Sequence, residues 1–110
     1  MSEFTANEIY AHAVDLWGID SQVDIALEEL AECSLATSKL FKRQYTKTRF
    51  HDLASEIADV RIVLEQLQFI LRERCSTPEG CEGESFDELV EEQYKYKLDR
   101  LATRVGLKAD

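Results

Sequence analysis

The chain has 110 residues, with 22 acidic and 13 basic side chains, four glycines and one proline. That length holds one domain, and so little Gly and Pro excludes a turn-rich β fold in favour of a few long helices. A net charge of −9 makes nucleic-acid backbones poor partners, and no apolar run nears the roughly 20 residues that a membrane span needs.

The N-terminal MSEFTANEIY has neither a basic n-region nor an apolar h-region, so no signal peptide is expected. Cys33, Cys75 and Cys81 are odd in number and form no C-x-x-C pair. Neither a disulfide framework nor a zinc site is expected, and a reducing, cytoplasmic setting fits best.

The first helix is expected from about Thr5 to Trp17, stopping at Gly18, with Ile9, Ala13, Leu16 and Trp17 as its apolar side. The second starts after Asp20 or Ser21, both good N-caps, and runs to about Arg43. Its stripe is Val23, Ala26, Leu30, Cys33, Thr37 and Phe41, three or four residues apart. After a short connection at residues 44–47, a third helix is expected from about Thr48 to Cys75. It carries Phe50, Leu53, Ile57, Val60, Leu64, Leu67 and Leu71 on its main face. Residues 76–84 hold Pro78, Gly80 and Gly83 and read as a loop. Ser85 then opens a fourth helix, with Glu88 completing a capping box, and the helix ends at Gly106. Its apolar residues are Phe86, Leu89, Val90, Tyr94, Leu98, Leu101 and Val105.

The fold class expected is all-α: one domain over residues 1–110, a four-helix bundle-like protomer completed by oligomerisation. The motive for an oligomer is the third helix, where Ile62 and Phe69 lie well away from the main stripe. A helix apolar on several sides is either central or at a subunit contact, so a homodimer or homotetramer is expected.

Charge is segregated along the chain. Residues 1–32 carry eight acids and no base, and residues 39–49 carry Lys39, Lys42, Arg43, Lys47 and Arg49 and no acid. Residues 79–92 carry seven acids and no base, and residues 95–108 hold Lys95, Lys97, Arg100, Arg104 and Lys108 against Asp99 alone. Such blocks serve either to complement helix dipoles or to hold a cation and an anion side by side.

The informative carboxylates are those among apolar residues. Glu29 and Glu32 share a helical face with Ile25 and Ala36. Glu56 sits between Leu53, Val60, Val63 and Leu67, with Asp59 at the stripe's edge. In an antiparallel hairpin, facing residues have a nearly constant sum of positions. That sum is 88 for Glu29 with Asp59 and again for Glu32 with Glu56, which puts the turn at residue 44. Four carboxylates therefore meet at one level, roughly 18 Å from the turn at about 1.5 Å per residue. Like charges gathered among apolar residues are costly, and a hard divalent cation such as Mg²⁺ or Mn²⁺ offsets the repulsion. A di-iron site would want Glu-x-x-His, and neither His12 nor His51 has that spacing. Glu28, turned about 100° from Glu29, stays open between a group supporting a ligand, a base for a water and an ion-pairing residue beside Asp24 and Lys39.

Glu28-Glu29-x-x-Glu32 followed by Glu56-x-x-Asp59 resembles the EExxE…ExxD signature of the MazG-like, all-α nucleoside triphosphate pyrophosphohydrolases. The segments ALEELAECSLATSKLFKR and HDLASEIADVRIVLEQL are similar to that family's two central helices, and the likeness runs over about residues 15–105. The short chain and its YKYKLDRLATR tail look most like the small stand-alone and phage-type members. The resemblance implies an Mg²⁺-dependent enzyme converting a nucleoside triphosphate to the monophosphate and pyrophosphate. It implies Glu29, Glu32, Glu56 and Asp59 as metal ligands, and Glu28 or Glu32 aligning or deprotonating the water. Lys97 and Arg100 match the family's basic tail motif as phosphate contacts; Lys39, Lys42 and Arg43 are further candidates without motif support, Lys42 and Arg43 reading equally as charges that favour a helix C-terminus. Trp17 reads either as a platform for the base or as a core anchor of the first helix. The readings that compete with an enzyme are a non-catalytic helical oligomer binding nucleotide or a protein partner, and a purely structural bundle.

Overall fold

A computed structural model describes residues 3–109, and every regular element in that range is helical. The described residues fall into two compact units, the first reaching to Ile70 and the second beginning at Leu71. No helix among the described residues is long and apolar enough to cross a membrane.

Helix α1 spans Ala6–Trp17 and opens on a full capping box, in which Thr5 Oγ1 accepts from the Glu8 amide and the Glu8 carboxylate accepts from the Thr5 amide. It stops at Gly18, whose φ of 86° and ψ of 158° lie in a region open essentially to glycine alone. Gly18 also starts α2, Ile19–Ser38, so neither Asp20 nor Ser21 is the cap that the sequence suggested. The joint is one residue long because glycine can make the reversal without a loop.

Helix α2 does not end where its α-helical bonding ends. Residues Lys39–Arg43 continue it as a π-turn, closed by Gln44 N–H donating to the Lys39 carbonyl at 3.1 Å. The extended Gln44 leads to Thr46, whose hydroxyl accepts from the Arg49 amide at 3.2 Å and caps α3, Lys47–Glu73.

The buried faces differ from those expected. On α1 the inward residues are Tyr10 and Val14, which pack with Phe69 and Ile70 of α3, while Ile9, Leu16 and Trp17 stay exposed. The Tyr10 and Phe69 rings lie 6.2 Å apart, and Tyr10 Oη donates to Glu65 Oε2 at 2.7 Å. Burial first, then this bond and the Glu65 charge, push the phenol up to about 12. Phe69, expected to reach outward to a subunit, is thus spent inside the protomer; Ile62 remains half-exposed.

On α2 the inward line is Gln22, Ala26, Glu29, Cys33, Ala36 and Leu40; it keeps Ala26 and Cys33 of the apolar stripe read from sequence and lies one residue before that stripe at the other four positions. Leu30 and Phe41, expected inside, are exposed. On α3 the inward line is Leu53, Glu56, Val60, Val63, Leu67 and Ile70, with Gln66 buried beside it, and Phe50, Ile57, Leu64 and Leu71 are exposed. Both lines alternate steps of three and four, the heptad spacing of paired antiparallel helices.

In the second unit, Ser85 Oγ accepts from the Glu88 amide and starts α4, Phe86–Arg104; this is the Ser85 half of the box expected there. Arg72 Nη1 pairs with Asp87 at 2.6 Å near that start. The apolar residues of α4 are exposed, and none of its residues is buried. The loop before it turns through Gly80 and Gly83, both at positive φ, and Cys75 and Cys81 are free thiols, as is Cys33.

Candidate functional site

The hairpin register read from sequence holds in contacts between α2 and the N-terminal two-thirds of α3. Gln66 Nε2 donates to Gln22 Oε1 at 2.6 Å, and Arg49 Nη1 donates to the Lys39 carbonyl at 3.1 Å. Both pairs add to 88. Between them, the Asp59 carboxylate bears on Glu29 and the Glu32 carboxylate on Glu56.

One oxygen each from Glu29, Glu32 and Glu56 lies within 4.8 Å of the other two. Glu29 and Glu56 are half-buried and Glu32 is exposed. Oε2 of Glu29 and Oε2 of Glu56 are buried and accept no hydrogen bond. An orphaned buried carboxylate oxygen is expensive, and both belong to residues of one converging group of hard donors, a set that a divalent cation can take. Burial, followed by the charges of Glu32, Asp59 and Glu56, raises the Glu29 carboxyl above its usual range. Burial, followed by the charges of Glu32, Asp59 and Asp52, does the same to Glu56.

Next to the cluster is a cavity of about 270 Å³ with a divided lining. Its lining includes the carboxylates of Glu32, Asp52 and Glu56 and, nearer the turn of the hairpin, the cationic Lys39 and Arg49. Lys39 is therefore joined to two of the expected metal ligands. Asp52 and Arg49 also line this cavity; the sequence placed Arg49 only within the basic block of residues 39–49 and gave Asp52 no role. The signals were present: Asp52 lies one turn before Glu56 on the same face, and Arg49 is the register partner of Lys39.

The other expected residues are placed differently. Glu28 is exposed, and neither it nor the half-buried Asp59, expected as a fourth ligand, is one of the three carboxylates that converge. Trp17 is 60% exposed, which removes its reading as a core anchor. It lines a separate apolar concavity along α1 with Phe4, Ile9, His12 and Leu16. Lys97 and Arg100 lie on α4 in the second unit, where the Arg100 guanidinium sits 5.7 Å from the Tyr96 ring centroid, a cation–π distance.

No family model, curated protein or solved structure matches the chain.

Proposed function

We propose that the protein is an Mg²⁺-dependent nucleoside triphosphate pyrophosphohydrolase of the MazG-like kind, converting an NTP or dNTP and water to the monophosphate and pyrophosphate. The observation that carries this reading is the pair of orphaned oxygens, on Glu29 and Glu56, in a cluster that the EExxE…ExxD spacing had located. Glu29, Glu32, Glu56 and Asp59 would hold Mg²⁺ or Mn²⁺. Such a cation neutralises triphosphate charge and lowers the pKa of a bound water.

The chain's own groups then have distinct tasks. Glu32, at the open edge of the cluster, is suited to orient a water or take its proton, and Glu28 is a second candidate from the motif. Lys39 and Arg49, which line the same cavity, offer positive charge to phosphate oxygens. Lys97 and Arg100 are proposed as further phosphate contacts by their likeness to the family's tail. Trp17, with its ring exposed, is proposed as the surface on which a base stacks.

The test is a panel of canonical and modified NTPs and dNTPs incubated with Mg²⁺, with pyrophosphate and orthophosphate separated. Pyrophosphate with the matching monophosphate is expected from at least one nucleotide, and orthophosphate alone would refute the reaction. Nucleotide binding without turnover would favour the non-catalytic oligomer instead.

A homodimer or homotetramer is part of the proposal. Leu27 and Leu35 of α2 are 61% and 50% exposed, and Ile57, Ile62 and Leu64 of α3 are also uncovered. Exposed apolar residues on both of these helices support an association surface. Light scattering at micromolar concentration is expected to give at least a dimer; a monomer would remove this part of the reading.

A further inference from the structure

Gln22 and Gln66 are the two buried polar residues among those described, 4% and 6% exposed, and they bond to each other across the hairpin. The pairing is incomplete, because Gln22 Nε2 is buried with no partner. Buried polar pairs of this kind add little to stability and instead select one alignment of helices over its neighbours.

The hairpin needs such a selector. Both inward lines repeat in steps of three and four, so sliding α3 along α2 by one turn still sets small apolar residues against apolar ones. Ala26, now level with Val63, would meet Val60 or Leu67. The connection does not forbid the slide: three extended residues reach roughly 10 Å, against about 5.4 Å for one turn. For the carboxylates the same slide is disruptive, since Glu32 would face Leu53 or Val60 in place of Glu56. It also costs the amides their bond, because Gln22 would face Val63 or Ile70.

The placement of the two cross-hairpin bonds is symmetric about the site. Gln22–Gln66 lies seven residues, two turns, from Glu29–Asp59, and Lys39–Arg49 lies seven residues beyond Glu32–Glu56. We propose that Gln22 and Gln66 are positioning residues, a buried amide pair that fixes the register delivering four carboxylates to one level. What that register delivers rests on the metal reading above; the register role itself does not.

The experiment replaces both amides with an unbranched apolar side chain of similar length, Gln22→Met with Gln66→Met, in the full chain. Three quantities are measured: melting temperature, nuclear Overhauser contacts between the Ala26 and Val63 methyl groups, and Mn²⁺ affinity by calorimetry. The expected variant melts no lower than the parent. Its Ala26–Val63 contacts are weakened and joined by Ala26–Val60 or Ala26–Leu67 contacts, and it binds Mn²⁺ at least tenfold more weakly. A residue needed only for packing would not lower metal affinity at unchanged melting temperature. A variant that keeps the parent's methyl contacts as its sole pattern would overturn the proposal. So would one that fails to fold, since the pair would then be a stability contact. A parent that binds no Mn²⁺, with the contacts shifting in the variant, would sink the metal reading and leave the register role standing.

Discussion

Glu56→Gln is expected to abolish hydrolysis while making the metal-free protein more stable. Glu56 has one orphaned buried oxygen and has Glu32, Asp59 and Asp52 as its charged neighbours. Glutamine keeps the length and shape, and its amide can donate to the facing Glu32 carboxylate. It removes one negative charge from the half-buried end of the cluster, so repulsion in the empty site falls. With metal the same change deletes a ligand. Activity should drop roughly a hundredfold or more, given that even residues behind a ligand cost 10–100-fold. A structural salt bridge at this position would behave in the opposite way, because removing one partner of a buried pair costs about 3–5 kcal/mol. Turnover and the melting temperature in EDTA should be read on the same preparation. Full activity, or loss of activity with a marked fall in apo stability, would show that Glu56 is not a ligand.

The second large effect is a pH dependence that metal abolishes. Glu29 and Glu56 both titrate above the carboxyl reference of 4.5 in the folded protein, through burial first and then neighbouring charge. A carboxyl whose folded pKa is raised favours folding in its protonated form. Its stabilisation is fully present below the unfolded value and is lost as pH rises through the folded value. The metal-free protein should therefore melt higher as pH is lowered from neutrality toward 4.5. Saturating Mg²⁺ or Mn²⁺ should raise the neutral-pH melting temperature. At a hundredfold excess over Kd the gain is about 2.7 kcal/mol, on the order of 10 °C for a chain this size. It should shrink on acidification as protons compete for the same oxygens. Differential scanning fluorimetry across pH with EDTA or Mg²⁺ checks this, and parallel curves in the two conditions would count against a formed site.

The number and order of helices, the loop before α4, the Ser85 cap and the stop at Gly18 were legible in the sequence because each rests on local chemistry. The hairpin register was legible as well, since a sum of positions needs only two helices and a turn. The buried faces were legible only in part: Ala26, Cys33, Leu53, Val60 and Leu67 lie inward as expected, and the rest of each stripe does not. Choosing the most apolar stripe assumes that apolar residues go inside, a rule that runs one way only. Here Leu30, Leu35, Ile57 and Leu64 are exposed while Gln22 and Gln66 are buried. In a chain with apolar residues on several sides of each helix, the stripe that the protomer itself covers is one among several. Phe69 was misassigned for the same reason: its partner Tyr10 comes from α1, which periodicity along α3 does not reveal. The site was legible where a motif marked it and not where a side chain joined it through the fold, as Asp52 and Arg49 do.

The π-turn at Lys39–Arg43 spends five residues where an α-helical turn would close with about one fewer. It sets which residue of the Leu40–Phe41 pair is covered. Leu40 is buried, and Phe41 is left to a run of neighbouring rings with Tyr45, Phe50 and His51 at the tip of the hairpin. A related chain without that surplus residue would form the same carboxylate level and reach its connection one position sooner. Aligned to this one, it would show a single-residue gap inside what both sequences present as an unbroken helix. Gaps are normally refused in such a place, and refusing this one would shift every later position and separate Glu56 and Asp59 from their true counterparts.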